Sequence, residues 1–251
     1  MSNHHVLICL PTCSEEVHIN FAFSLLDLTH ALTKSGATYE TLHVASSQII
    51  RARNFFANYF LNHPKFTHLL FLDTDMKFPA EAVLKLLAAN KTLSGVAYPF
   101  RRFSLDRAVE PGDAGLCMHQ WLESHADYTF APITNADGDL DSANGFAEAR
   151  HIGTRVFLAQ REAFEVTKPF SDFYSPPKQY ASLLPSGKFY GFFETIEEDG
   201  VYLGEDVSFC IRARQAGLSI CALINQTVVH YGASEVSGQY LQSMRLNGKV
   251  T

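Results

Sequence analysis

Short unbroken apolar runs alternate along the first hundred residues with longer stretches in which apolar positions recur every three or four residues. The run 6–10 is closed by Pro11-Thr12 and reads as a buried strand leading into a loop. Residues 19–33 carry helical spacing and stop before Gly36. A second strand is expected over 39–45, a helix over 49–61 and a third strand at His68–Leu72, which runs straight into Asp73-Thr74-Asp75. Pro79 then opens a helix over Ala80–Ala89, as proline suits a first helical turn, and a fourth strand follows at 93–98. This β-α-β-α-β-α-β order predicts an α/β fold with a mainly parallel, doubly wound sheet and right-handed crossovers. Ligands of such sheets bind at the carboxyl ends of the strands, where Pro11-Thr12 and Asp73-Thr74-Asp75 both fall.

The second half has a different rhythm. Residues 128–133 and 146–157 read as strands joined through Asn135-Ala-Asp-Gly138, since Asp-Gly is a hairpin-turn signal, with Gly153-Thr154 inside the second strand. A short helix is expected at 161–166. The irregular, aromatic-rich stretch 169–200 suits the wall or lid of a binding site. Gly204-Glu205-Asp206 introduces a helix that Gly217 ends, and Ile220–Leu223 and Val228–His230 are final short strands. No repeat or linker divides the chain, so residues 1–251 are expected to form a single domain.

Composition narrows the classes. Of 251 residues, 47% are hydrophobic and 18% charged, the balance of a globular domain. The net charge of −6, with no basic tract longer than Arg101-Arg102, disfavours a nucleic-acid acceptor. Five cysteines without a CxxC pair predict reduced thiols in a cytoplasmic protein. No apolar run approaches a membrane span and the first residues lack a charged leader region, so any membrane contact would be peripheral, at the inner face.

Two carboxylates flanking one residue after a hydrophobic strand can converge on a hard divalent cation, which makes Asp73 and Asp75 candidate ligands of Mn²⁺ or Mg²⁺. A phosphatase of the haloacid-dehalogenase type would want Thr or Val where Lys77 stands and a later G-D-x-x-x-D. Asp206, with Glu205 beside it, is a candidate general base and equally a candidate helix N-cap. His230 ends a strand and could complete a metal site. Arg51 and Arg53 read evenly as phosphate grips or as a solvated helix face. The 135–141 loop misses the calcium-loop positions at both ends and reads as a solvated hairpin tip. A nucleotidyltransferase would place a glycine-rich basic loop after the first strand, where this chain has the acidic, glycine-free Pro11-Thr-Cys-Ser-Glu-Glu16.

Taken in order, Leu10-Pro-Thr12, Ile50-Arg-Ala-Arg-Asn54, His68-Leu-Leu-Phe-Leu-Asp-Thr-Asp75, Gly95-Val-Ala-Tyr-Pro99, Ile152-Gly-Thr154, Gly204-Glu-Asp206 and His230-Tyr-Gly232 resemble the GT-A glycosyltransferase superfamily. The likeness is greatest to its family-2-like branch of small bacterial and phage enzymes. The resemblance implies a single Rossmann-like GT-A domain with a smaller antiparallel acceptor-side portion. Residues 1–100 would be the nucleotide-binding half, 101–232 the acceptor and catalytic half, and 233–251 a C-terminal tail. It implies a nucleoside-diphosphate sugar as donor, UDP-linked before GDP-linked, and a glycan, lipid-linked or other hydroxyl acceptor. By the same likeness Asp75, assisted by Asp73 and completed by His230, would hold the metal, with Thr74 between the carboxylates. Asp206 would be the base and Glu205 a contact to sugar, while Gly153 and Thr154 would line the donor sugar. Pro11 and Thr12 would lie under the nucleotide base, with Arg51 and Arg53 near its phosphates. The chain departs from the pattern at Arg155, where many relatives carry glycine, and at Arg150-His151, where an acidic residue often stands.

Overall fold

A computed structural model describes residues 4–103, 115–232 and 236–246. Part of the mixed segment after residue 103 and part of the expected tail therefore lie outside the described residues. Nine strands form the central sheet: β1 (His5–Thr12), β2 (Thr38–Ala45), β3 (His68–Leu72), β4 (Leu93–Val96), β5 (Phe130–Pro132), β6 (Ser142–Ala143), β7 (Phe146–Ile152), β8 (Val156–Gln160) and β9 (Ile220–Leu223). The helices are α1 (Ile19–Ser35), α2 (Ile49–Asn62), α3 (Ala80–Ala89), α4 (Met118–Ser124), α5 (Arg161–Thr167), α6 (Glu205–Gln215) and α7 (Tyr240–Leu246). The sheet order is β2-β1-β3-β8-β4-β9-β7-β5, with β6 on the flank of β7. Most strands run one way. β8 is antiparallel to both β3 and β4, and β7 to both β9 and β5.

The alternation of side chains along each strand explains the two layers of helix. Leu7, Cys9, Leu69, Phe71, Phe157 and Ala159 face α2, α5 and α6 in one core. Val6, Ile8, Leu70, Leu72, Val156 and Leu158 face α1 and α3 in the other. Gly36, at φ 84°, ends α1 in the left-handed conformation that glycine adopts without penalty. Among the described residues no helix is long and apolar enough to cross a membrane.

The parallel strands expected in the first half are present, yet they are not contiguous. The expected strand 146–157 is two strands in different places, and its second half, β8, is inserted between β3 and β4. Gly153-Thr154 is the bend between them rather than strand interior. Its cause is a close approach: the Gly153 N–H donates to the Thr129 carbonyl at 2.8 Å. A Cβ at Gly153 would stand 1.9 Å from the Tyr98 hydroxyl. The expected strand 93–98 likewise stops early, at Val96, and the chain leaves into Pro99–Phe103, paired with Ala126–Tyr128.

The irregular 169–200 segment is fastened by a ladder of asparagines four residues apart on α2, one above the other on a single helix face. Asn54 accepts from the Phe193 N–H at 2.8 Å and donates to Glu194 at 2.9 Å. Asn58 pairs with both main-chain groups of Tyr190, accepting from its N–H at 2.8 Å and donating to its carbonyl at 2.8 Å. Asn62 accepts from the Ser186 N–H at 2.9 Å. Phe192 and Phe193 are thereby buried against Phe164, Phe71 and Phe209, whereas Phe173 and Tyr174 stay exposed. Arg161 closes the other end of α2, donating to the carbonyls of Phe60, Leu61, His63 and Phe66. Phe60 and Leu61 lie in the last turn of α2, where carbonyls have no partner within the helix.

The described part of the C-terminal segment is packed rather than a free tail. Val236–Gly238 pairs with Val228–His230, which pairs in turn with Met76–Lys77. The Tyr240 ring meets Phe130 edge-on at 4.7 Å. The 135–141 loop is the expected solvated hairpin tip: Asn135 Oδ1 accepts from the N–H groups of Asp137 at 3.0 Å and Asp139 at 2.9 Å.

Replacing Asn58 with alanine strands both main-chain groups of Tyr190 at a buried face, at a cost of about 2–3 kcal/mol. Urea unfolding of Asn58→Ala against the parent measures that loss. Hydrogen exchange should show the Tyr190 and Phe193 amides opening first. Unchanged stability would mean that the ladder does not hold this segment.

Candidate active site

The site forms where β3 ends. Antiparallel pairing sets His230 opposite Met76, one residue beyond Asp75, and the Tyr231 N–H donates to the Asp75 carbonyl at 2.8 Å. The other wall is the bend 153–155, tied down by the Asp73 N–H donating to the Arg155 carbonyl at 2.9 Å. Sequence-distant Asp73, Asp75, Thr154 and His230 are thus drawn together by main-chain pairing.

Arg53, on α2, is the hub. Its side chain is 2% exposed and its Nη2 reaches both oxygens of Asp73, at 3.1 and 3.0 Å. Its Nε lies 3.4 Å from Glu205, its Nη1 3.4 Å from the Thr154 carbonyl, and its guanidinium rests 5.1 Å over the Phe71 ring. Burial works against its charge, but the Asp73 and Glu205 carboxylates outweigh burial and hold its pKa above the ordinary value.

Arg155 stands between the two aspartates. One nitrogen, Nη1, lies 3.0 Å from Asp73 Oδ2 and 2.8 and 3.0 Å from the two oxygens of Asp75. Arg101 approaches Asp75 at 3.4 Å from the solvent side. Burial raises the Asp75 carboxyl, yet His230, Arg155 and Arg101 together bring it below the ordinary carboxylate range. A cation bridging Asp73 and Asp75 would need the oxygens these arginines hold. Among the described residues no group of three or more His, Cys, Asp or Glu is arranged to hold a metal. With Arg155 in place, the donor set does not fit the bridging Mn²⁺ or Mg²⁺ expected from the sequence.

Two buried polar atoms flank the aspartates without a hydrogen-bond partner among the described residues, His230 Nε2 and Thr154 Oγ1. The His230 Nδ1 lies 2.9 Å from the Pro99 carbonyl, which requires a hydrogen on Nδ1, and its Nε2 lies 3.4 Å from Asp75 Oδ2. Tyr98, edge-on to His230 at 5.7 Å, fills the notch under Gly153. Such orphaned atoms each cost about 1–3 kcal/mol unless a ligand or water completes their bonding.

Glu205 and Asp206 open α6, whose N-cap is Gly204, not Asp206. Asp206 sits inside the first turn with Oδ1 accepting from the Val207 N–H at 2.8 Å. Burial pushes its carboxyl up and the neighbouring Glu205 adds to the push, against the Val207 N–H and Arg53. A raised carboxyl is a stronger base than an ordinary one.

Pro11 and Thr12 end β1, next to β3 on the same sheet edge, and Thr12 Oγ1 meets His43 Nε2 at 2.8 Å. Thr74 lies between the aspartates and its carbonyl accepts from the His18 N–H at 3.2 Å. Arg51 does not join Arg53. It lines a separate cleft of about 590 Å³ with Gln48, Ile50, Pro177 and Glu194, its guanidinium 5.7 Å from the Tyr180 ring. Tyr98 and Asn54 lie in strings that carry the resemblance, but no role was expected for them, nor for Arg101, His43 or the rest of the asparagine ladder. The ladder alone had a readable signal, its four-residue spacing.

Arg53→Met leaves the buried Asp73 carboxylate with a single bond from Arg155 as its compensation, at an expected cost of up to about 3–5 kcal/mol. Adding Asp73→Leu should recover most of that loss, because the stranded charge goes with it. Denaturant unfolding of the two single variants and the double variant measures the coupling, and a double variant as unstable as the sum of the singles would refute it.

No family model matches the chain, and no curated protein matches it. Among solved structures, A197 from STIV is similar with a TM-score of 0.47 and 15% identity, over 91% of this chain and 86% of that one. The 4-diphosphocytidyl-2C-methyl-D-erythritol synthase from Anaerococcus prevotii is similar with a TM-score of 0.33 and 10% identity, over 85% of this chain and 99% of that one. The chain is loosely similar to each.

Proposed function

We propose that the chain is a glycosyltransferase that moves a sugar from a nucleoside-diphosphate sugar, UDP-linked before GDP-linked, to an acceptor hydroxyl with inversion. The observation that carries this reading is the convergence of Asp75, the unpartnered His230 Nε2 and Thr154 Oγ1, and the base-like Asp206 at the carboxyl end of β3. Asp206 takes the proton from the acceptor hydroxyl as its oxygen attacks the anomeric carbon. The bond to the nucleoside diphosphate breaks on the opposite face and that group leaves as the anion. His230 Nε2 and Thr154 Oγ1 hold donor hydroxyls. Asp73 is structural in this scheme, spent on Arg53, whereas Asp75 faces the ligand. The exposed rings of Phe173, Tyr174 and Tyr202 suit a glycan or lipid-linked acceptor, on which sugars can stack.

Release of nucleoside diphosphate from a panel of UDP- and GDP-sugars tests the activity. Asp206→Asn should lower turnover about 100-fold or more while UDP or GDP still binds. Because the base must be ionised and its carboxyl is raised, the parent rate should fall with decreasing pH at a point above the ordinary carboxylate range. Glu205→Gln, which removes the neighbouring like charge, should move that limb to lower pH. Full turnover in Asp206→Asn would remove Asp206 from the chemistry. Nucleotide binding without turnover of any donor would instead favour a binding protein.

A further inference from the structure

Arg155 and Arg53 touch the same aspartate, but they differ in what they have left to give. Arg53 is 2% exposed and its Nη1, Nη2 and Nε are all engaged. Arg155 is 25% exposed and spends one nitrogen, Nη1, on both carboxylates. Its Nε and Nη2 make no hydrogen bond with the described residues. A guanidinium offers five N–H donors in a flat fork that matches phosphate oxygens. Bonded to carboxylates through Nη1 and partly exposed, Arg155 has the connectivity of a cation that bridges an acidic pair to a phosphate. Its main chain is held beside the acidic pair, since its carbonyl accepts from the Asp73 N–H, and its side chain is held by Asp73 and Asp75. Arg101, half exposed and 3.4 Å from Asp75, adds a second positive group on the open side.

We propose that Arg155 is the counter-charge for the donor's diphosphate, so that this site binds a nucleoside diphosphate without a divalent cation. The proposal rests on the donor-site reading above and adds that the cation is part of the chain. A divalent ion would have to displace the guanidinium from Asp75 before it could bind there.

Calorimetric titration of UDP and of GDP into the full chain, in EDTA and in Mn²⁺, tests this, with Arg155→Gly and Arg155→Lys run beside the parent. The parent should bind one of the two nucleotides in EDTA, with Kd changing by less than about threefold in Mn²⁺. Arg155→Gly should weaken binding in EDTA by about tenfold or more, and Arg155→Lys by less. Binding to the parent only in Mn²⁺, with loss in EDTA, would overturn the proposal and leave the donor site standing. So would metal-free binding that survives Arg155→Gly. Binding of neither nucleotide under either condition would overturn the donor site itself, and Arg155's role with it. Circular dichroism checks that both variants fold, and if neither does, the parent's comparison in EDTA and Mn²⁺ decides alone.

Discussion

The buried pair of Arg53 and Asp73 is the constraint on which the site depends. The two side chains are nearly sealed from water and lie 3.0 Å apart, so each stands in for part of the other's lost solvation. The guanidinium also reaches Glu205 and the Thr154 carbonyl, so one side chain fixes the mutual positions of α2, the end of β3, the 153–155 bend and the start of α6. Loss of either partner would leave a buried charge with only part of its compensation, Asp73 with Arg155 or Arg53 with Glu205, which is more damaging than loss of a surface bridge.

This arrangement divides the labour of two aspartates that look equivalent in the sequence. Asp73 is 6% exposed and bonded to Arg53, whereas Asp75, with 30% of its side chain exposed, has its charge favoured against burial by His230, Arg155 and Arg101. The acidic motif is thus embedded in basic groups of the same chain.

Much of the fold was legible because it follows from periodicity. The strands at His68–Leu72, Ile220–Leu223 and Val228–His230 and the helix Ala80–Ala89 carry the spacing of their elements, and the chain forms them with those limits. The insertion of β8 between β3 and β4 was illegible, since strand order is a long-range property that the local pattern of residues 146–157 does not carry. The break rests on the fit of Gly153 against Tyr98, two positions that periodicity does not connect. Within the site, Asp75 and His230 could be picked out, and the structure brings them to 3.4 Å. The separation of Arg51 from Arg53 follows from helical geometry, in which residues two apart point to different sides. The bonds of Arg155 could not be read, because they depend on the bend that places it.

Helix α2 joins these parts in a further way. Its polar residues form two tracks, Arg53 toward the aspartates and Asn54, Asn58 and Asn62 toward the 186–194 segment. The charge network and the aromatic-bearing segment are therefore referenced to one rigid rod. Substitutions among the exposed rings of that segment can vary what the protein meets there without disturbing the reference, whereas a slip of the rod by one turn would put both surfaces out of register at once. Helix α2 is the common ruler from which both sides of the site are measured.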